Sequence, residues 1–419
     1  MLSGRISDRN GGFLARSLSE AGLDHTQTVV IGDSREGIAA TVSGLLADGV
    51  DLVVTSGGLG VTHDDVSMAA VAQSVGAELT LREDVLAEVR ERMAGAPNRD
   101  RVSPHIQEQG MRKQAMLPVG ATALSPVGTA AGCIAATSSG QLVIVLPGPP
   151  GELERMWERA VLTPPLSVFL DTIEPPTQRV VRLFGVIESE LVEVLADLPD
   201  DPLEGLRLGI CARAGELEVT MTEVAATGAR SSQRLLDAIG NAFGDALFSQ
   251  EGASLDAIIA AQLAAVGQTV VVAESCTGGL LGARLTAQAG ASGWFLGGVI
   301  SYSDSVKQDV LGVPPELIER LGAVSALCAE AMAEGVRHAL RADWGLSITG
   351  IAGPGGATAD KPVGLVYVSC AGLRGTTVSE FRFRGTREQI RERAVANALQ
   401  LLRVAMDAAE RDGEHHPSG

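Results

Sequence analysis

Between Thr163 and Thr177 the chain carries two proline pairs, Pro164-Pro165 and Pro175-Pro176. Each pair withholds backbone donors and fixes φ, so neither a helix nor a central strand runs through this stretch. The polypeptide therefore has to divide here. A softer seam follows at Gln250-Glu251-Gly252-Ala253, ahead of a helix that Ser254 can cap. These seams delimit segments 1–165, 178–250 and 251–411, with 412–419 read as a disordered tail that includes His415 and His416. Three segments agree with a prior of roughly 150 residues per domain for a chain of 419.

Helix and strand patterns alternate in the outer segments. In the first, Phe13–Leu23 and Arg35–Ala47 have helical spacing, while Thr28–Gly32, Asp51–Thr55 and Gln141–Leu146 read as strands. The middle segment offers strand Val180–Phe184, helix Glu188–Leu195, strands Leu206–Ala212 and Leu217–Val224, and helix Ala229–Phe243. It reads as a spacer or dimerising module. The last runs helix Leu255–Val266, strand Thr269–Ala273, strand Phe295–Tyr302, helix Ala326–Leu340, strands Leu346–Thr349, Leu365–Cys370 and Val378–Phe383, then a helix from Arg387. The fold class expected is α/β: two parallel-sheet α/β domains joined by a small α+β module.

Composition narrows the partners. Asp plus Glu number 51 against 33 Lys plus Arg, a net charge of −18 that argues against a nucleic-acid binder. Glycine makes up 50 residues, about 12% against the usual 7% or so, which favours tight turns and close backbone approach to ligands. Aromatics are 3%, so the cores are built of Ala, Val, Leu and Ile. Five cysteines (Cys133, Cys211, Cys276, Cys328, Cys370) form no CxxC pair, which disfavours a disulfide framework or thiolate zinc site and suits a reducing compartment. With no apolar run of roughly 18 residues, no membrane association is expected, and the location read is cytoplasmic.

The chemistry-bearing strings sit after strands. Ser275 follows Thr269–Ala273 and precedes Cys276, Thr277, Gly278 and Gly279, a strand-to-helix turn whose free amides suit a phosphate or the oxyanion of acyl transfer. Ser275 could instead simply cap the next helix. Cys276 is the rival nucleophile, but a lone buried cysteine is usually inert packing. His338, mid-helix, is the single histidine of 251–411, so a Ser-His-Asp triad is disfavoured. Tyr302, or Lys307 in the next short helix, supplies the base of a Ser-Lys type arrangement, although a Lys in such a place is commonly solvated surface. The loop Gly350–Val363 is glycine-rich but fits neither the Walker nor the GxGxxG pattern. In the first segment, Ser56–Asp65 (SGGLGVTHDD) could bring backbone amides to a phosphate at Gly57 and Gly58, while Asp64 and Asp65 could hold a divalent cation. A plain glycine turn with two solvated carboxylates is the alternative. Pro126–Gly132 and Leu146–Gly151 could wall the same pocket.

Together these strings resemble the CinA family over nearly the whole chain. Ser56–Asp65, Pro126–Gly132 and Leu146–Glu154 are similar to its first-domain motifs, and Ala273–Gly279 (AESCTGG), Val299–Ser303, Gly322–Ser325, Thr349–Gly356 and Lys361–Gly364 to those of its C-terminal, PncC-type domain. The resemblance implies a nicotinamide-nucleotide amidohydrolase in the last domain, converting nicotinamide mononucleotide and water to nicotinic acid mononucleotide and ammonia without a cofactor. In it Ser275 is the nucleophile and Lys307 or Tyr302 the base. Cys276, Thr277, Gly278 and Gly279 line the oxyanion and substrate side, Thr349 and Gly350 contact substrate, and Arg387 is the phosphate-binding candidate. For the first domain it implies a molybdopterin-binding fold with metal-dependent ADP-ribose pyrophosphatase activity, where Gly57, Gly58 and Thr62 face the phosphates and Asp64 and Asp65 the metal. A homodimer is implied, and the family's name also leaves open a non-enzymatic role in competence or damage response through protein partners. This chain departs at Val61, Ser67 and Ala131, and has no counterpart to the strand and turn that precede the segment matching Leu2–Asn10. The expectation is a slot in the first sheet with unpaired backbone, and either a natural start further upstream or a catalytically dead first domain.

Overall fold

The computed structural model describes residues 7–94, 103–174, 176–199 and 201–414, with side chains through Arg411. It divides into two compact units, Met1–Pro176 and Thr177–Gly419. In the first, the elements run α1 (Asn10–Glu20), α2 (Arg35–Ala47), β1 (Leu52–Ser56), α3 (Ser67–Ser74), β2 (Leu79–Leu81), α4 (Glu83–Ala94) and α5 (Pro104–Gln114). They continue β3 (Met116–Pro118), β4 (Thr122–Leu124), β5 (Gly132–Ala136), β6 (Leu142–Leu146), α6 (Pro150–Ala160) and α7 (Leu166–Leu170). The sheet has the order β1-β6-β5-β4. Only β1 and β6 pair in parallel; β5 pairs with β6, and β4 with β5, antiparallel. The α/β class is met, but the sheet is mixed rather than all-parallel.

Thr28–Gly32 was expected as a strand and is not one: its backbone lies in no sheet. Its β-branched run has the composition of a strand, but a strand exists only with a hydrogen-bonded neighbour. Among the described residues β1 pairs with β6 alone, and between β1 and this run lies a cavity of about 900 Å³ lined by Val29, Val30, Ile31, Leu52, Val53 and Val54. Val29, Val30 and Ile31 remain 47%, 43% and 38% exposed. Full burial of each is worth roughly 1.5–3 kcal/mol, so the slot forgoes several kcal/mol of apolar burial. Among the described residues this side of the sheet is open.

The second unit begins with β7 (Gln178–Phe184), α8 (Glu188–Ala196), β8 (Leu206–Arg213), β9 (Glu216–Glu223), α9 (Gly228–Phe243) and β10 (Leu247–Ser249). These form an antiparallel sheet, β10-β7-β9-β8, over a core that includes Val181, Leu217, Met221, Leu235 and Ile239. It continues with α10 (Leu255–Val266), β11 (Val270–Glu274), α11 (Leu280–Thr286), β12 (Phe295–Ile300), α12 (Asp304–Asp309), α13 (Pro315–Leu321) and α14 (Ala326–Leu340). β13 (Trp344–Gly350), β14 (Leu365–Gly372), β15 (Gly375–Arg382) and α15 (Arg387–Glu414) complete it. Ser254 does cap α10, its Oγ accepting from the Ala257 amide at 3.3 Å. α15 reaches Glu414, beyond the expected start of a tail at 412; residues 415–419 lie outside the described residues.

The seam at 250–253 falls inside this unit. Arg284 on α11 bonds Asp256 at 2.6 and 2.8 Å and Glu216 of β9 at 2.8 Å, and Arg182 of β7 donates to Gly252 O at 2.8 Å. Phe184 and Phe248 pack against the last domain's core, so the middle segment is joined to it by apolar and ionic contacts. That core lies in a sheet of order β12-β11-β13-β14-β15. Along β11, Val270 and Val272 enter the cluster shared with α10 and α15, while Val271 and Ala273 enter that shared with α14. Alternation of period two thus covers β11 on both faces. Among the described residues no helix is long and apolar enough to cross a membrane.

The slot beside β1 should take up an apolar-site dye such as anilinonaphthalene sulfonate. Val30→Asp is expected to remove most of the dye fluorescence of the full chain with little change in circular dichroism. Undiminished fluorescence would put the dye elsewhere.

Candidate active site

β11 pairs in parallel with β12 on one side and β13 on the other, with Glu274 level with both Ile300 and Ile348. Three strand ends therefore open at one edge, and the chain leaves β11 toward opposite sides, where open α/β sheets form their ligand crevice. Residues 275–279, 301–303 and 351–364 are the loops that emerge there. β14 and β15 pair antiparallel, so this sheet too is mixed.

The Ser275–Gly279 turn is held by donors and acceptors on both sides. Ser275 N donates to Ile348 O at 2.9 Å and Gly278 N to Ser275 O at 3.1 Å. Gly278 (φ +58°) and Gly279 (φ +98°) occupy the left-handed region, which favours glycine. Glu274, 1% exposed, accepts from Gly279 N at 3.0 Å, Leu281 N at 3.1 Å and Gly282 N at 2.8 Å. From α15, Arg391 donates to Cys276 O at 3.1 Å and to Thr277 O. The amides of Cys276 and Thr277 donate to no other residue among the described residues, the Cys276 amide facing only its own thiol. Peptide C=O and N–H groups point in opposite directions, so anchoring Cys276 O on Arg391 turns the Thr277 N–H away from that guanidinium. Thr277 is fully buried and its Oγ1 has no partner. Ser275 is half-buried and its Oγ is likewise unbonded among the described residues.

The remaining candidates surround this turn unequally. Lys307, 1% exposed in α12, points its Nζ at Ser301 O (2.9 Å), at Tyr302 O and Ser303 O (both 3.5 Å), and at Asp304 Oδ1 (3.5 Å). It makes no hydrogen bond to Ser275 Oγ. Ser301 N donates to Glu274 O at 2.7 Å, tying the Lys307 cage to the end of β11. Tyr302 is 61% exposed, and its Oη accepts from Arg387 Nη2 at 3.1 Å. Arg387 also donates to Gly353 O at 2.7 Å and so joins the ends of β12 and β13. Thr349 is buried with its Oγ1 donating to Ala323 O at 2.8 Å, leaving little of it to meet a substrate. At Gly350 a Cβ would lie 2.8 Å from Leu365 O, so close strand packing accounts for that glycine. His338 is exposed at the end of α14.

Burial pushes the Cys276 thiol up to about 11, against the pull of its own amide and of Arg387 and Arg391. At neutral pH it is a thiol, not a nucleophilic thiolate. That separates it from Ser275, whose hydroxyl needs a neighbouring base but no prior ionisation.

In the first unit, Ser56 Oγ donates to Pro147 O at 3.3 Å and Gln114 Nε2 reaches Leu59 O at 3.4 Å and Thr129 Oγ1 at 3.3 Å, so all three motif strings meet. Gly57 and Gly58 have φ of +94° and +68°. Thr62 lies against both carboxylates, its Oγ1 bonding Asp64 and, at 2.6 Å, Asp65. The Thr62 hydroxyl holds Asp64 below the usual carboxylate range. Partial burial pushes Asp65 up, but bonds from Thr62 and Gly60 outweigh it and leave that group lowered too. As a seat for a resident cation the donor set does not fit. No group of three His, Cys, Asp or Glu gathers among the described residues, and Lys113, bonded to Thr62 O, adds positive charge beside the pair.

Residues 252–406 match the family profile of the CinA C-terminal domain, 178–249 that of the damage-inducible protein CinA KH domain, and 1–167 that of a probable molybdopterin binding domain. A CinA-like protein of Mycobacterium sp. (strain JLS) is 42% identical over 412 residues, covering 97% of this chain and 96% of the relative. The chain belongs to the CinA family. A second CinA-like protein, from Mycobacterium tuberculosis, is 38% identical over 412 residues, with 96% and 94% covered. Among solved structures, the competence/damage inducible protein CihA from Agrobacterium tumefaciens has 39% sequence identity and a TM-score of 0.36, covering 36% of this chain and 93% of that one.

Two residues of the family's C-terminal domain that hold this turn, Glu274 and Arg391, were not singled out from sequence. Arg391 lies one helical turn after Arg387, a spacing that places both on one face of α15. Iodoacetamide near neutral pH is expected to label exposed Cys211 and to spare Cys276 in the folded protein, as read by peptide mass spectrometry. Rapid labelling of Cys276 would show a thiolate and restore it as a nucleophile.

Proposed function

We propose that the last domain hydrolyses the carboxamide of nicotinamide mononucleotide, releasing nicotinic acid mononucleotide and ammonia. What carries this reading is one juxtaposition: Ser275, its Oγ free among the described residues, followed directly by two amides with no acceptor in another described residue, at a sheet edge that also bears a buried lysine and two arginines. Ser275 Oγ attacks the carboxamide carbon while its proton passes to the Lys307 amine. The amides of Cys276 and Thr277 take the oxyanion of the tetrahedral intermediate. Collapse breaks the C–N bond, and Lys307 returns the proton to the departing nitrogen. Water, deprotonated by Lys307 in turn, then cleaves the acyl-serine ester and frees the carboxylate, and Lys307 passes that proton to the departing Ser275 Oγ.

Lys307 is favoured over Tyr302 as the base. Lys307 is buried beside the turn, whereas the Tyr302 hydroxyl is exposed and held by Arg387. To meet Ser275, Lys307 exchanges a carbonyl contact for the serine, a tightening common when substrate fills a free site. Arg387 spends one donor each on Gly353 and Tyr302, which leaves further N–H groups of its five for a phosphate.

The test is ammonia release from nicotinamide mononucleotide. Ser275→Ala is expected to lower kcat by about 1,000-fold or more and Lys307→Met by about 100-fold or more, both with the wild-type fold. Chelator should leave this activity unchanged. Full turnover in Ser275→Ala sinks the reading. If instead only metal-dependent cleavage of ADP-ribose is found, the activity belongs to the first domain.

A further inference from the structure

Glu274 is a carboxylate with 1% exposure and no cationic partner among its contacts. Sequence pattern makes it the last residue of an apolar strand, where a charged side chain has no reason to be. Its oxygens are satisfied by three backbone donors instead. Oε2 takes Gly279 N and Leu281 N, and Oε1 takes Gly282 N, which are the donors a helix start normally leaves open.

An inventory of the turn shows what this achieves. Ser275 N, Gly278 N and Leu280 N are bonded within the backbone, at 2.9, 3.1 and 3.3 Å. Glu274 removes three more donors. Arg391 fixes the carbonyls of Cys276 and Thr277 from the opposite side. Among the described residues two neighbouring amides, Cys276 N and Thr277 N, immediately after Ser275, are left with no acceptor in another residue. We infer that Glu274 is a positioning residue: by drawing the amides of Gly279, Leu281 and Gly282 inward, it confines oxyanion donation to Cys276 and Thr277 and sets their aim. Its charge acts the other way, since a carboxylate this near opposes a developing anion. Three converging N–H groups spread that charge, and the geometry outweighs it.

This inference rests on the amide-hydrolysis reading above. Glu274→Gln replaces an acceptor oxygen with an NH2 group that faces amide donors, so the turn must rearrange while side-chain volume is kept. The expected result is a kcat on nicotinamide mononucleotide lowered by about 10- to 100-fold with KM within about threefold, a split that belongs to interactions made only in the transition state. A kcat equal to or above that of wild type overturns the inference, because the charge would then dominate or nothing would depend on the contact. Should the variant not fold, hydrogen exchange in the wild-type protein decides. Slow exchange at Gly279, Leu281 and Gly282 with faster exchange at Cys276 supports the assignment; protection of Cys276 equal to theirs overturns it. Wild-type protein that releases no ammonia removes the hydrolase reading, whereas an active wild type, an inactive Ser275→Ala and an unimpaired Glu274→Gln remove only the role of Glu274.

Discussion

Parallel pairing of β11 with both its neighbours is the constraint from which the candidate site follows. Because Glu274 is level with Ile300 and Ile348, the chain leaves β11 and β12 at one height and β13 two residues further on, all at the same edge. Ser275, the Lys307 cage and the Gly353 loop then meet without any long-range adjustment. The pairing is stable because β11 is buried on both faces, alternately against the α10 and α15 side and the α14 side. A one-residue slip would exchange those faces and carry Ser275 away from the crevice. In the first unit, among the described residues, no such constraint acts on one side of β1, which faces an open slot.

Electrostatics at the turn separates two adjacent candidates that pattern alone cannot. Cys276 and Ser275 share the strand end, but burial keeps the thiol protonated while the serine hydroxyl stands free beside unbonded amides. Arg391 acts on this turn through its carbonyls. It binds Cys276 O and Thr277 O, and trans geometry across the Cys276–Thr277 peptide then points Thr277 N–H the other way. A cation and an anion, Arg391 and Glu274, thus hold opposite poles of one turn of backbone.

How much was legible in the sequence follows from which interactions are local. Glycine strings after apolar runs mark strand ends wherever they occur, so Ser275–Gly279 and the Gly350–Val363 loop could be located from order and spacing. Helix Ala326–Leu340 and the Ser254 cap depend on residues three or four apart and were readable in the same way. Thr28–Gly32 was misread because its β-branched run reports propensity, while a strand requires a partner elsewhere in the chain. Glu274 and Arg391 were missed for a related reason. One is a charged residue at the end of a buried strand, the other lies 115 positions from Cys276, and their value appears only when the turn's donors are counted in space. The mixed character of both sheets was also hidden, since β5, β14 and β15 carry no local mark of direction.

Net charge illustrates the limit of averages. A total of −18 argues against polyanionic partners, yet the crevice is flanked by Arg387 and Arg391, one turn apart on α15 and both near enough to Cys276 to act on its thiol. Local concentration of positive charge in an acidic protein selects for size as well as sign. A small monoanion or dianion needs only such a local pair of guanidinium groups, while an extended polyanion needs a basic face along its whole contact. On the function proposed above, the acidic surplus and the arginine pair act together in favouring a compact anionic ligand over a nucleic acid strand.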